Sequence, residues 1–504
     1  MVGATAVAAY STAPTDSDPH RYQTGFGNRF ASEAVPGTLP LGQNAPQKCK
    51  FDLYSEQLNG SAFVSSRATL QHVWMYRIWP SVAHSDVVPA PELNPWLQAC
   101  FSPFNERVKY VAAQQAWDPF PLPGEEGDAE SERLDFVQGI RTIGGQGDPI
   151  SKEGIAVHVY TASRSMTNRA FCNNDGDFMI LPQQGRLNIQ TELGWLMVRP
   201  GELAVIQAGL RFRISLPDGP CRGYIQEIFG SHYELPELGP LGSNGMALPQ
   251  DFQSPVASFD VDSSEWEIVY KMAGALHACR QNHTPFDVVA WRGNLAPYKY
   301  ATERFINVAN VNRDQADPTV YCVLTAKSKI PGVSLTDFLV FTPKWIPTSD
   351  TFRPPYYHRN MSTEMMGLLY GTYGGSSHVL EPGGLSYEAS YMPHGETYET
   401  WLDATTRELN PDSICEGTVA FMFHISVPVL LTEWAIEGGG AKSLHLSSGD
   451  PWAGAKAHFL DHLDEIDVEL GKAGLSSFGR KKADRVVNGG RHAYSNGTNG
   501  HSNA

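Results

Sequence analysis

Apolar and polar residues alternate in short runs along most of this chain, and turn residues close each run. Between residues 185 and 216, GRLNIQTELGWLMVRPGELAVIQAGLRFRISL, the alternation is cut by turns such as PGE and AGL, and RGYIQEIFG at 222–230 continues it. The second half repeats the style in FINVANV (305–311), TVYCVLTAK (319–327), DFLVFTPKW (337–345) and VAFMFHISVPVLLTEWA (419–435). A period of two places every other side chain on one face, the signature of a half-buried strand. Many such strands at regular spacing predict a mainly β fold of sandwich or jelly-roll type. Helical periodicity is sparse, the best case being AGAKAHFLDHLDEIDVELGKAG at 453–474, an acidic amphipathic segment. No repeat of fixed period is present, although the two halves share a style. Residues 1–20 and 476–504 lack apolar periodicity and are predicted to be disordered tails.

The chain has 504 residues, more than one simple core holds, which predicts two or more domains. Hydrophobic residues make up 41% and charged ones 18%, ordinary for a globular protein and wrong for a disordered one. The 47 glycines and 35 prolines favour turns and short strands over long helices. A formal charge of −16 repels phosphate backbones and argues against a nucleic-acid partner. Cys49, Cys100, Cys172, Cys221, Cys279, Cys322 and Cys415 are odd in number, widely spaced and without a CxxC pair; they read as reduced thiols of a cytoplasmic protein. Residues 1–20 carry no Lys or Arg, unlike a signal or transit peptide. No apolar run approaches the roughly 18–20 residues of a membrane span, so no membrane partner is expected.

Chemistry is concentrated in TFRPPYYHRNMSTEMMG (351–367) and MPHG (392–395). His358, Glu364 and His394 supply two imidazoles and one carboxylate, the ligand set that a non-haem ferrous oxygenase uses with coordination positions left open. Six residues of strand would hold His358 and Glu364 about 20 Å apart. Six residues of helix would turn them about 120° away from each other. Both meet one ion only if the chain bends at RNMST (359–363) and His394 returns from another strand, which a jelly-roll barrel allows. Taken singly, each histidine is more often structural than ligating. Zinc enzymes use the same set, so the spacing leaves the metal open.

His458 and His462, near Asp461 and Glu465, form a second pair at metal-gripping spacing, but a solvated acidic helix face accounts for them better. The glycine-rich stretches at 374–386 and 438–440 lack the ending of a phosphate loop; the first lies between the ligands and is a candidate mobile cover. There is no GxSxG and no catalytic-cysteine signature.

The words YQTGFGNRFASEA (22–34), LYSEQLNGSAF (53–63), YRIWPSVAH (76–84), NNDGDFMILPQQG (173–185), ELPELGPLGSNG (234–245), PYKY (297–300), LTAKS (324–328), TFRPPYYHRN (351–360) and PHG (393–395) run the length of the chain. Through them it resembles the homogentisate 1,2-dioxygenase family. The resemblance implies two β-rich domains, at 21–302 and 303–475, the second a cupin-like jelly-roll barrel carrying Fe(2+) and ending in the helix. It implies His358, Glu364 and His394 as iron ligands, with Tyr373, Tyr356 and His394 against the substrate. It also implies a homotrimer or homohexamer. The expected reaction takes homogentisate and O2 to maleylacetoacetate, within phenylalanine and tyrosine degradation. A base near the metal eases formation of the phenolate.

Several family residues are replaced. The base histidine of the family word DHADP is Gln315 in DQADP (314–318), and an amide cannot take a proton near neutral pH. The family lysine three residues after the substrate tyrosine is Ser376, a further histidine is Glu388, and WHGN is WRGN with Arg292. One reading keeps the substrate and makes Glu388 the base. Another is a ring-cleaving paralogue for a different dihydroxy-aromatic in a specialised pathway. A third is a cupin subunit that assembles without turnover.

Overall fold

The alternating runs form strands. Residues 185–216 give Leu187–Thr191, Gly194–Val198, Glu202–Ile206 and Arg211–Ser215, and the next run gives Cys221–Phe229. The structure, a computed structural model, describes residues 18–60, 63–124, 133–237, 247–307, 321–346, 349, 351–353, 356–374, 379–445 and 451–478. Most of both predicted tails, Gln315 and Ser376 lie outside the described residues. The described residues fall into two compact units that part between His445 and Pro451. Among them no helix is long and apolar enough to cross a membrane.

The larger unit is mainly β, as expected. One seven-stranded antiparallel sheet runs in the order Tyr233–Glu234, Cys322–Lys327, Ser334–Phe341, Val419–Ile425, Thr363–Tyr370, Leu385–Glu388 and Gln115–Trp117. Its two outer strands come from before residue 302. In return Leu430–Thr432 joins a ten-stranded sheet otherwise built from before that residue, pairing with Val108–Tyr110 and Ile140–Asp148. The two sheets pack face to face. Alternate residues Phe338, Val340, Met365, Leu385, Tyr387, Phe421, Phe423 and Ile425 share one core with Val157, Val159, Met179, Leu181, Val205 and Tyr224. The Tyr224 ring meets Phe421 edge-on at 4.8 Å, and its hydroxyl donates to the Gly384 carbonyl at 2.7 Å. A Cβ at Gly367 would lie 2.4 Å from the Phe421 ring, so only glycine lets that ring lie flat on its neighbour strand. A second core, around Phe136, Tyr160, Phe171, Phe178, Phe212 and Trp291, lies in the N-terminal half.

Two expectations shift. FINVANV forms no strand over Phe305–Asn307, and its remainder lies outside the described residues. The terminal helix is shorter than predicted: Gly454 takes φ +84 in a turn, a 3-10 turn covers His458–His462, and the α-helix runs only from Leu463 to Lys472.

Charge is also buried. Lys271 donates to Asp175 at 2.8 Å and Glu227 at 2.7 Å, with the side chains of Lys271 and Glu227 fully enclosed. Removing one member of such a group strands the others without water. Lys271→Met is expected to cost about 3–5 kcal/mol of stability, measured by denaturant unfolding; a loss below about 1 kcal/mol would show that the carboxylates find other partners.

Candidate metal centre

The strand period that buries one face of the seven-stranded sheet leaves the other for chemistry. On Thr363–Tyr370, Met365 turns to the shared core while Glu364, Met366 and Leu368 turn away from it. On Val419–Ile425, Ala420, Met422 and His424 do the same. Register then sets polar side chains in one transverse row. Asp337 lies opposite His424, His424 opposite Glu364, and Glu364 opposite Glu388. Gln114 continues the row, its amide donating to the Glu388 carboxylate. Next to this row comes an apolar floor, with Met366, Leu368, Ala420 and Leu380 buried and Phe341, Tyr373 and Met422 packed on them.

His358 reaches the row by a local device. Its backbone forms an isolated antiparallel bridge with His394, each amide donating to the other's carbonyl at 3.0 Å. Asn360 accepts from the Ser362 amide at 2.9 Å, an Asx-type turn that bends the chain within RNMST. Glu364 follows as the second residue of its strand. His358, Glu364 and His394 thereby offer ligand atoms that all lie within 4.8 Å of one another.

The ring orientations are fixed by backbone. His358 Nδ1 lies 2.8 Å from the Tyr356 carbonyl, and His394 Nδ1 lies 3.0 Å from the Met392 carbonyl. A carbonyl oxygen only accepts, so each Nδ1 carries the proton and each Nε2 is left to act as a ligand. His358 Nε2 stands 3.7 Å from Glu364 Oε1, and His394 Nε2 stands 3.3 Å from Oε2. The latter nitrogen is buried and, despite that proximity, lacks a hydrogen-bond partner. Burial opposes charge on Glu364, but the two rings and the Asn360 amide, donating at 2.7 Å, hold its carboxyl well below the usual range. His394 also resists charge through burial, yet the same carboxylate raises it to about 9. Two imidazole lone pairs and a carboxylate facing one point repel unless a cation stands between them. A divalent metal fits that donor set.

Most of the chain has known counterparts. Residues 21–302 match the family model "Homogentisate 1,2-dioxygenase N-terminal", and residues 303–459 match "Homogentisate 1,2-dioxygenase C-terminal". The chain belongs to the homogentisate 1,2-dioxygenase family. It is 44% identical over 453 residues to the homogentisate 1,2-dioxygenase of Arabidopsis thaliana, covering 89% of this chain and 95% of that one. The Caenorhabditis elegans protein of that name is 42% identical over 447 residues (88% and 99% of the two chains) and the Homo sapiens one 42% over 446 (87% and 97%). Membership makes the chain a dioxygenase-type enzyme with a metal centre, in a mainly β fold.

The other residues named from sequence fall around this centre unevenly. Glu388 lies in the same row, and burial raises its carboxyl to about 7 although the His394 ring beside it pulls the other way. Tyr373 is half-buried, with its ring 5.9 Å from Phe341, and it pairs with Leu380 in an isolated bridge. Tyr356 is 70% exposed and meets the His358 ring edge-on at 5.8 Å. His458 and His462 sit in the separate unit, where His462 contacts Glu465 at 3.4 Å.

Three residues near the centre went unnoticed in the sequence. Asn360 holds Glu364, His424 Nε2 stands 3.7 Å from Glu364 Oε1, and Glu396 is buried beside the bridge. His424 had a signal: it shares the period-two face of Ala420 and Met422, but its strand partner was unknown. The Asn360 amide donates to Glu364 Oε1 at 2.7 Å and so fixes where that oxygen points. Asn360→Ala is expected to weaken metal binding about 10–100-fold, by equilibrium dialysis, with the denaturation midpoint little changed; unchanged affinity would remove that role.

Proposed function

We propose that the chain uses Fe(2+) to open the ring of homogentisate with O2, giving maleylacetoacetate, with His358, Glu364 and His394 as the metal ligands. The observation carrying this reading is the convergence of those three side chains, both histidines locked with Nε2 inward. Bound ferrous iron supplies the one-electron chemistry that dioxygen needs to attack an aromatic ring. The residues of the chain do the rest. The ring lies on the floor of Met366, Leu368 and Met422, which sheds water from it. Tyr373 stands at the side of that floor. Glu388, the cross-strand neighbour of Glu364, receives the phenol proton at its carboxylate in place of Gln315, a residue whose amide is not basic.

The acid arm has its own partner. Lys344 donates to the Tyr321 hydroxyl and lies 4.4 Å from that ring's centroid. Tyr321 packs on Phe341 at 5.1 Å, and Phe341 on Tyr373. Among the described residues no carboxylate lies within ion-pair distance of this half-buried ammonium. From Glu364 to Leu368 the floor extends about 13 Å; Phe341, paired with Ala420 as Leu368 is, lies at the Leu368 end and carries Tyr321 and its Lys344 partner there. The reading also carries a homotrimeric or homohexameric assembly in the cytoplasm, in keeping with seven free thiols and with the exposed Tyr356, Tyr391 and Met361 at the mouth of the site.

Protein reconstituted without oxygen is expected to take up about one Fe(2+) per chain. It should then consume O2 with homogentisate, at a KM about 10-fold or more below that for hydroquinone, which lacks the carboxylate. Bound iron with no uptake from any dihydroxybenzene would favour the silent-subunit reading, and preference for hydroquinone would favour a paralogue. Sedimentation of the same material reads the assembly. Glu388→Gln should keep its iron and lose about 10²-fold or more in kcat, together with the rise of activity with pH that a titrating base gives; wild-type turnover across pH would discard Glu388 as the base.

A further inference from the structure

The apolar floor beside the metal centre spans two neighbouring strands. Met366 and Leu368 come from Thr363–Tyr370, Met422 and Ala420 from Val419–Ile425, with Met366 opposite Met422 and Leu368 opposite Ala420. Two residues on, each strand ends its floor in a polar side chain on the same face. These are Glu364 and His424, directly opposite each other, on strands about 4.8 Å apart. The strand on the other flank of Glu364 differs: there the residue opposite Met366 is Ser386, so the apolar floor does not run up to Glu388. A flat molecule lying on Met366, Leu368 and Met422 therefore ends against Glu364 and His424. The His424 ring is aimed at that end, with Nε2 3.7 Å from Glu364 Oε1, beyond hydrogen-bond reach. That oxygen is served without it, accepting from the Asn360 amide at 2.7 Å. On the other side Asp337 accepts from the Thr325 hydroxyl at 2.5 Å. Among the described residues no hydrogen bond reaches the His424 imidazole, and its side chain is 31% exposed, so a ligand can approach it. The three ligands whose donor atoms lie within 4.8 Å of one another do not include His424, so its nitrogen is left for a different partner.

We propose that His424 is a further catalytic residue, whose Nε2–H donates a hydrogen bond to the substrate's ring oxygen at the metal end of the floor. The inference rests on the ring-cleaving reading above and deepens it by naming the side chain that steadies the negative charge this oxygen gains when the phenol ionises. A neutral imidazole with its proton on Nε2 is donor enough. The sheet fixes its place before the substrate arrives, so no reorganisation is needed when the charge develops.

Iron-loaded protein, kept free of oxygen so that no turnover occurs, tests the contact directly. Calorimetry compares 2,5-dihydroxyphenylacetate with phenylacetate, which has the same acid arm and no ring hydroxyl. Wild-type protein is expected to bind the dihydroxy acid about 10-fold or more tighter. His424→Leu should weaken the dihydroxy acid about 10-fold, with phenylacetate binding, iron affinity by equilibrium dialysis and the denaturation midpoint all unchanged. His424→Gln, whose amide keeps a donor, should recover part of the lost affinity. In air, kcat for oxygen uptake should fall about 10²-fold in His424→Leu and less in His424→Gln. Equal binding of the two acids by wild-type protein, unchanged binding of the dihydroxy acid by His424→Leu, or equal weakening of both acids would each overturn the assignment. So would a fall in iron affinity that accounts for the loss, since His424 would then act only by positioning Glu364. Absence of oxygen uptake by wild-type protein would count against the reaction, while the binding comparison still decides the contact.

Discussion

Two backbone hydrogen bonds between His358 and His394 organise the centre. They lie outside any regular strand, yet they set the two imidazoles side by side and free them to point the same way. Each ring is then turned by the carbonyl two residues before it, a constraint that repeats on both sides of the bridge. Glu364 is supplied separately, by the first turn of alternation in the strand that follows the Asn360 turn. None of these elements holds a metal alone. Their meeting is a matter of register between a bridge and a sheet.

The sheet meets two demands with one sequence period. Residues facing the ten-stranded sheet are aromatic or aliphatic and fully buried, and they anchor the strands. Residues one step away are free to be Asp337, His424, Glu364 and Glu388, a row that would be ruinous in a core. Packing on one face therefore fixes the spacing of charge on the other. The row puts three carboxylates around one imidazole before any cation is considered, so electrostatics there are tense by construction.

Much of this was legible in the amino-acid order. The strands of 185–230 and 419–425 followed from alternation, and the need for a bend between His358 and Glu364 followed from elementary strand and helix geometry. The mainly β class and the family followed as well. What escaped was long-range pairing. His424 is one histidine in an apolar run until its strand is known to lie beside that of Glu364. Glu396 belongs to no motif in the sequence, and only its burial with neither oxygen hydrogen-bonded makes it unusual. Asn360 was placed in the bend but not recognised as a donor to the carboxylate, because a side-chain hydrogen bond four residues on depends on the turn type. The terminal helix came out short because periodicity does not report a glycine that turns the chain at positive φ.

The exchange of strands across residue 302 bears on how the chain is made. Leu430–Thr432 completes the sheet of the first half, and Gln115–Trp117 completes that of the second. On a ribosome the first half must therefore wait, with an open sheet edge, until more than a hundred further residues have emerged. Such edges are sticky, and distant pairing is slow. Either half made alone would begin life with a gap that its own sequence cannot fill.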